Sequence, residues 1–433
     1  MTRRNHISYG LAALACIVLI GAVLLFFLPH GLDPVSPSAA QPSGDALIAR
    51  GKYLTVAADC AACHTTEGGK PFAGGLPFKL PFGTIYSPNI TPDLENGIGA
   101  WSDAEFVRAM RSGVGRHGED LYPALPYTSY ALLSSDDVLA IRAYLATLAP
   151  VATPTPANAL AFPFNQRRMM RGWKLLFLDS KPFEPDPARG VAWNRGAYLV
   201  KGLAHCSECH TPRNLMFARK QHEALSGSVV DGWKAWNITP DKETGIGLWT
   251  DAQLVSYLSA GYAPGHGAAS ASMRQAIDLS LSQLSATDIN AIVTYLRTVT
   301  PRRTDAAATV MPISAAVKAS TAWSPGGEAS DRTGRRIFEG ACASCHGWNG
   351  NGQQTARAGL AGSHAVNDPH GANLIRVILG GTSAPDHAAT TAMPSFGAAY
   401  TDAEIAAVAN YAIAHFGGKQ GQVTSKDVAD ARP

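Results

Sequence analysis

Three five-residue words, Cys60-Ala61-Ala62-Cys63-His64, Cys206-Ser207-Glu208-Cys209-His210 and Cys342-Ala343-Ser344-Cys345-His346, take up six of the chain's 7 cysteines. Two thiols three positions apart share one helical turn, so each can form a thioether to a vinyl group of one porphyrin. The imidazole that follows then lies beneath the ring as an iron ligand. Each word therefore reads as a site of covalent haem c attachment, giving three haems held by Cys60, Cys63, Cys206, Cys209, Cys342 and Cys345, with His64, His210 and His346 on iron. Zinc would require the cysteine pairs to converge in twos, which three well-separated copies do not invite. Disulfide staples would not need a histidine after each pair. Cys16, the remaining cysteine, sits in an apolar run and reads as inert.

An iron held by histidine on one side takes its character from the ligand opposite, and a methionine thioether raises its potential toward electron transfer. Met393, followed by Pro394 and lying before the last helical stretch, is the candidate for the third haem. Met273 is the candidate for the second, with Met311 an alternative in a linker. No residue is assigned a catalytic role. A nucleotide or molybdenum fingerprint is missing, and the glycines of Gly347 to Gly352 follow a haem word instead of a strand.

At 433 residues and a net charge of +3 the chain has room for several domains and shows no basic stripe, which argues against nucleic acid as a partner. Arg3 and Arg4 precede an uncharged apolar run from Ile7 to Leu28, roughly 33 Å long as a helix and enough for a ~30 Å hydrocarbon core. This predicts an N-terminal transmembrane anchor, or an uncleaved signal, over 7–28, with the arginines cytoplasmic and the remainder on the periplasmic side of a bacterial inner membrane. A Pro/Ser/Ala-rich linker follows at 29–44, then a first haem domain at 45–150. Within that domain the Gly/Pro-rich stretch from Gly68 to Gly99 reads as loop. Ser102-Asp103-Ala104-Glu105 has the form of a capping box that opens a helix ended by Gly113.

The second haem domain, 189–300, repeats the first. Asn89-Ile90-Thr91-Pro92-Asp93 returns as Asn237-Ile238-Thr239-Pro240-Asp241, and Trp101 returns as Trp249, each at an offset of 148 residues. The same offset sets Leu125 opposite Met273. The linker between them, 151–188, carries an amphipathic helix expected to pack on a neighbouring domain. A second linker at 301–327 leads to the third haem domain, 328–418, closed by a helix from Thr401 to His415, and 419–433 is expected to be a loose tail.

The chain resembles the multihaem cytochrome c subunits of bacterial membrane-bound dehydrogenases. The resemblance rests on Gly83-Thr84-Ile85-Tyr86-Ser87-Pro88-Asn89-Ile90-Thr91-Pro92-Asp93, Leu121-Tyr122-Pro123-Ala124-Leu125-Pro126-Tyr127, Arg195-Gly196-Ala197-Tyr198-Leu199-Val200 and His210-Thr211-Pro212-Arg213-Asn214. It implies an all-α fold of three tandem class I-like cytochrome c domains behind the transmembrane helix. It also implies electron transfer from a flavin, quinoprotein or molybdenum dehydrogenase subunit to ubiquinone in the lipid bilayer, so that the chain is no enzyme by itself. Leu125 stands where the family usually has methionine, which leaves the first iron without an evident sixth ligand. The alternatives are a freestanding carrier to a terminal oxidase and a peroxidase working at the first haem. Peroxide turnover would separate the last from the rest.

Overall fold

The computed structural model describes residues 13–14, 16–17, 21, 26–304, 329–382 and 392–432. The chain divides into two compact units, the first built on residues up to 185 with 201–205, the second on 186–200 and residues from 206 onward.

In the first unit a leading helix, Gly44–Ala57, delivers the chain to the short helix Cys60–His64 and crosses a later helix, Ser135–Leu145. The crossing is close because Gly51 is at the contact. A methyl group there would lie 1.9 Å from the Ala140 carbonyl oxygen and 2.9 Å from Cβ of Tyr144. Arg50 ties the same two helices through Asp137 at 2.6 Å. Between them, Ser102 accepts from the Glu105 amide while Glu105 reaches back to the Ser102 amide, so the expected capping box opens the helix Asp103–Ser112, and Gly113 closes it at φ 60.

Two helical pairs in the second unit repeat the device. Val191–Tyr198 crosses Ala286–Leu296, and Ala329–Ile337 crosses Asp402–Gly417. A methyl on Gly196 would lie 1.9 Å from the Ala291 carbonyl oxygen, and one on Gly334 2.2 Å from that of Ala407, each again 2.9 Å from a tyrosine Cβ, Tyr295 or Tyr411. Arg195 grips Asp288 with two bonds of 2.8 and 2.6 Å, copying Arg50 and Asp137. Phe338, Val366, Ile405, Ile413 and Phe416 fill the core of the last pair.

Several expectations need correction. The fold is not all-α. The stretch from Gly68 to Gly99 contains strands β1 (Pro77–Leu80) and β2 (Gly83–Tyr86), to which β3 (Ala159–Leu160) adds antiparallel. The second unit has the short hairpins β4 (Ser228–Val230) with β5 (Trp233–Ala235) and β6 (Tyr262–Ala263) with β7 (Gly267–Ala268). Strands this short are set by their cross-strand partners, which local glycine and proline content does not reveal.

The transmembrane helix at 7–28 is not supported, since no helix among the described residues is long and apolar enough to cross a membrane. Residues 7–12, 15, 18–20 and 22–25 of that run lie outside the described residues, as does nearly all of the linker at 301–327, Met311 included. The end of the run is engaged by protein: Arg168 lies 4.7 Å over the Phe27 ring and Arg171 donates to the Leu28 carbonyl. The tail is not loose. Thr424 and Asp427 form a capping box for the helix Ser425–Ala431, Val428 is fully buried, and Arg432 bonds Asp402 at 2.7 Å.

Gly334→Ala should destabilise the last helical pair by about 1–3 kcal/mol. The carbonyl it meets is backbone and cannot yield, and the ~1 kcal/mol that alanine gains over glycine inside a helix is smaller. Gly380→Ala, at the end of the helix Ala372–Gly380 with nothing within 4 Å of the added methyl, should be neutral or stabilising. Denaturant midpoints of the two haem-loaded variants check this, and equal midpoints would refute it.

Candidate functional site

In each word the two thiols and the imidazole sit on one short helical turn: Cys60–His64, Ser207–His210 with Cys206 as its N-cap, and Ala343–His346 with Cys342 as its N-cap. Burial pushes the thiols of Cys60 and Cys206 up to about 12 and that of Cys342 up to about 11.

The imidazoles are fixed in one way three times over. Nδ1 of His64 lies 2.7 Å from the Pro88 carbonyl oxygen, Nδ1 of His210 2.7 Å from that of Trp236, and Nδ1 of His346 2.6 Å from that of Ala358. A carbonyl only accepts, so Nδ1 must carry the proton and donate it. Burial keeps all three rings below the ordinary histidine range, hence neutral, and Nε2 presents its lone pair on the opposite side. A porphyrin iron needs this of its histidine ligand: a set tautomer, a set ring plane and an available Nε2. The residues present therefore fit a covalently held haem at each word.

The backbone after each histidine is also held alike. Gly74 donates to the His64 carbonyl at 2.8 Å, Gly227 to that of His210 at 2.8 Å and Gly352 to that of His346 at 3.0 Å. The three glycines have φ of 71, 97 and 84, a region closed to most side chains. In the two longer loops the accepting carbonyl is placed by the residue after it. Buried Asn89 accepts from the Thr91 amide and hydroxyl and donates to the Val151 and Thr153 carbonyls. Asn237 does the same with Thr239 and the Arg302 carbonyl. The repeated Asn-Ile-Thr-Pro word is thus a clamp that ties the loop to the irregular segment leaving the closing helix.

Met393 is half-buried against the core of the last helical pair, on which Cys342 also packs. Its main chain is fixed by Met393 N to the Thr382 hydroxyl at 3.0 Å and Thr382 N to the Met393 carbonyl at 2.9 Å. Met273 is half-buried in the first turn of the helix Ala271–Leu279. Met273 lies inside the helix Ala271–Leu279, whereas Leu125 lies in a bend ahead of the short helix Tyr127–Tyr130, although the backbone leading to each is alike. The bonds Leu121 N to Gly113 O and Ala269 N to Gly261 O are equivalent, and each stands four residues before the position compared. Leu125 is half-buried, Met110 lies in the core, and His117 is exposed with its amide on Glu119.

Two groups in the second unit gave no sign in the sequence. His364 stacks on Trp236 at 4.7 Å and lies 6.4 Å from Trp249, on which His266 stacks at 3.8 Å. Burial pulls His266 down to about 4 and His364 down to about 3. The carbonyls of Pro88, Trp236 and Ala358 were equally silent, because a main-chain acceptor has no side-chain signature.

Comparison with known proteins follows the same lines. The cytochrome c family model matches residues 48–149 and 332–412. The chain is 41% identical over 385 residues to one subunit of the nicotinate dehydrogenase of Pseudomonas putida, covering 88% of this chain but 31% of that longer protein. It is 39% identical to the fructose dehydrogenase cytochrome subunit of Gluconobacter japonicus, covering 92% of this chain and 85% of the relative. It is 39% identical to the gluconate 2-dehydrogenase cytochrome c subunit of Pantoea cypripedii, covering 91% of both. With three cysteine-paired histidines in one geometry and this likeness along its length, the chain belongs to the family of cytochrome c subunits of dehydrogenases.

Proposed function

We propose that the chain takes electrons one at a time from the catalytic subunit of a partner dehydrogenase and passes them, through three covalent haem c groups on the periplasmic side of the inner membrane, to ubiquinone in the bilayer. The observation that carries this reading is the threefold repetition of a half-buried, neutral imidazole whose Nδ1 is bonded to a backbone carbonyl. Bound haem supplies a one-electron ferric/ferrous couple. The chain's own part is to fix that couple. Each cysteine pair would anchor a haem covalently, His64, His210 and His346 would ligate its iron through Nε2, and Met273 and Met393 would supply thioether sulfur. Substrate oxidation belongs to the partner. The relatives are subunits of dehydrogenases for fructose, gluconate and alcohols, which supports a small polar substrate without choosing one.

Acid–acetone extraction followed by intact mass measurement should leave the polypeptide heavier by three haems, and a gain of two or fewer refutes the count. In the complex with its co-purified dehydrogenase, substrate should raise the ferrous α-band, and a short-chain ubiquinone should discharge it. A complex whose haems respond to dithionite but never to substrate would sink the electron-transfer reading.

Leu125 has no lone pair to give to iron, so the first haem should be the odd one of the three. Reduced wild type should bind carbon monoxide at about one third of its haem, and that haem should have a lower potential than its methionine-ligated neighbours. Leu125→Met should abolish the carbon monoxide shift and raise the potential. Three low-spin haems in wild type, indifferent to carbon monoxide, would overturn the assignment.

A further inference from the structure

The first unit has a pocket of about 660 Å³, open to solvent, that the haem words do not use. Its size is that of a small-molecule site. One wall is apolar, made by Phe26, Phe27, Pro29 and Leu32, and the other carries Arg108, Arg116, Arg167, Arg168 and Arg171. Among the lining residues two carboxylates face these five guanidiniums, Glu119 and Asp120, and both have partners, while Glu105 outside the lining lies 3.9 Å from Arg116. Glu119 accepts from the His117 amide at 2.9 Å. Asp120, almost fully buried, is held by Lys174 at 2.6 Å, His30 at 2.9 Å and Arg171 at 3.1 Å.

Among the described residues Arg167 and Arg168 pair with no carboxylate. Arg167 lies 5.0 Å over the Tyr122 ring and donates to the Asp120 carbonyl at 3.3 Å, and Arg168 lies over Phe27. Nε of Arg108 is buried without a partner. Like charges gathered in one cavity repel, and the arrangement is relieved by an anion entering from outside. The ring contacts meanwhile hold the guanidiniums in place for it.

We propose that this cavity binds the phosphate of an acidic phospholipid headgroup, with the guanidiniums on the phosphate oxygens and the glycerol and first acyl carbons against the phenylalanine wall. Guanidinium and phosphate match in paired, charge-assisted bonds. Inorganic phosphate would have no use for the apolar wall, and a zwitterionic lipid would bring a cation toward the arginines. The helix Met169–Phe177, whose Arg171 lines the cavity, leaves Leu175 and Leu176 71% and 65% exposed, apolar surface that acyl chains would cover. The proposal rests on the reading that the chain works at a bilayer and goes beyond it by naming the site and the lipid class.

The test uses the full-length, haem-loaded chain released in mild detergent, with native mass spectrometry after exposure to phosphatidylglycerol, phosphatidylcholine or inorganic phosphate. Phosphatidylglycerol should be retained at least about tenfold more than phosphatidylcholine, and the double variant Arg167→Gln/Arg168→Gln should reduce it to the phosphatidylcholine level. If the double variant loses its haem bands, Arg116→Gln replaces it with the same expected loss. Equal retention of the two lipids, retention unchanged by the substitutions, or capture of inorganic phosphate without lipid would each overturn the proposal. Electron transfer from the partner, measured on the same preparations, fails independently of lipid retention and so keeps the two readings apart.

Discussion

Everything in this molecule that concerns a haem depends on how closely two helices can cross. The leading helix must bring a cysteine-histidine turn to its place, and the closing helix must form the opposite side of the same small core. With side chains at the contact, two helix axes stay 8–10 Å apart. Gly51, Gly196 and Gly334 remove the side chain at that point in each pair and set a backbone carbonyl against bare Cα. The nearby Arg50–Asp137 and Arg195–Asp288 pairs, with carboxylates largely out of solvent, add direction to the first two crossings by fixing how one helix is rotated against the other.

From that crossing the rest follows outward. The loop after each histidine has to return to the ring it left, and it does so with a glycine bonded to the histidine carbonyl and another carbonyl bonded to Nδ1. In the first two sites the return is long and needs a clamp, which Asn89 and Asn237 provide with every polar atom of the amide engaged. A buried amide with no such partners would cost more than the loop could offset. The third site returns within a dozen residues and has no asparagine clamp, in keeping with its shorter loop.

Much of this was legible in the sequence where the signal is local. The three cysteine words, the capping box at Ser102 and the repeat at an offset of 148 residues can be read without coordinates, because each is a few neighbouring side chains acting on one another or a plain recurrence of them. What escaped is set by distant chain. The pairing of β2 with β3 joins residues more than seventy positions apart, and the glycine stretch between gave no alternation to mark it. The docking of the last helix was missed although Thr424 and Asp427 have capping-box spacing, since a polar tail of this length carries too few apolar residues to announce a core contact. The apolar run at the N-terminus is a reverse case, where a strong compositional signal predicted a spanning helix that the described residues do not contain.

The use of main-chain carbonyls to hold the three histidines has an evolutionary consequence. Nothing about the side chain at the anchoring position matters to the anchor, and the three sites carry proline, tryptophan and alanine there. Such a position can drift without loosening the metal, so it is available for other work. In the second site that freedom has been taken up: Trp236 holds His210 with its backbone while its indole stacks on His364 and lies beneath Lys234. A residue at the heart of a metal site thus remains open to selection for the surface beside it, and neighbouring haem modules can acquire different contacts without renegotiating how each binds its iron.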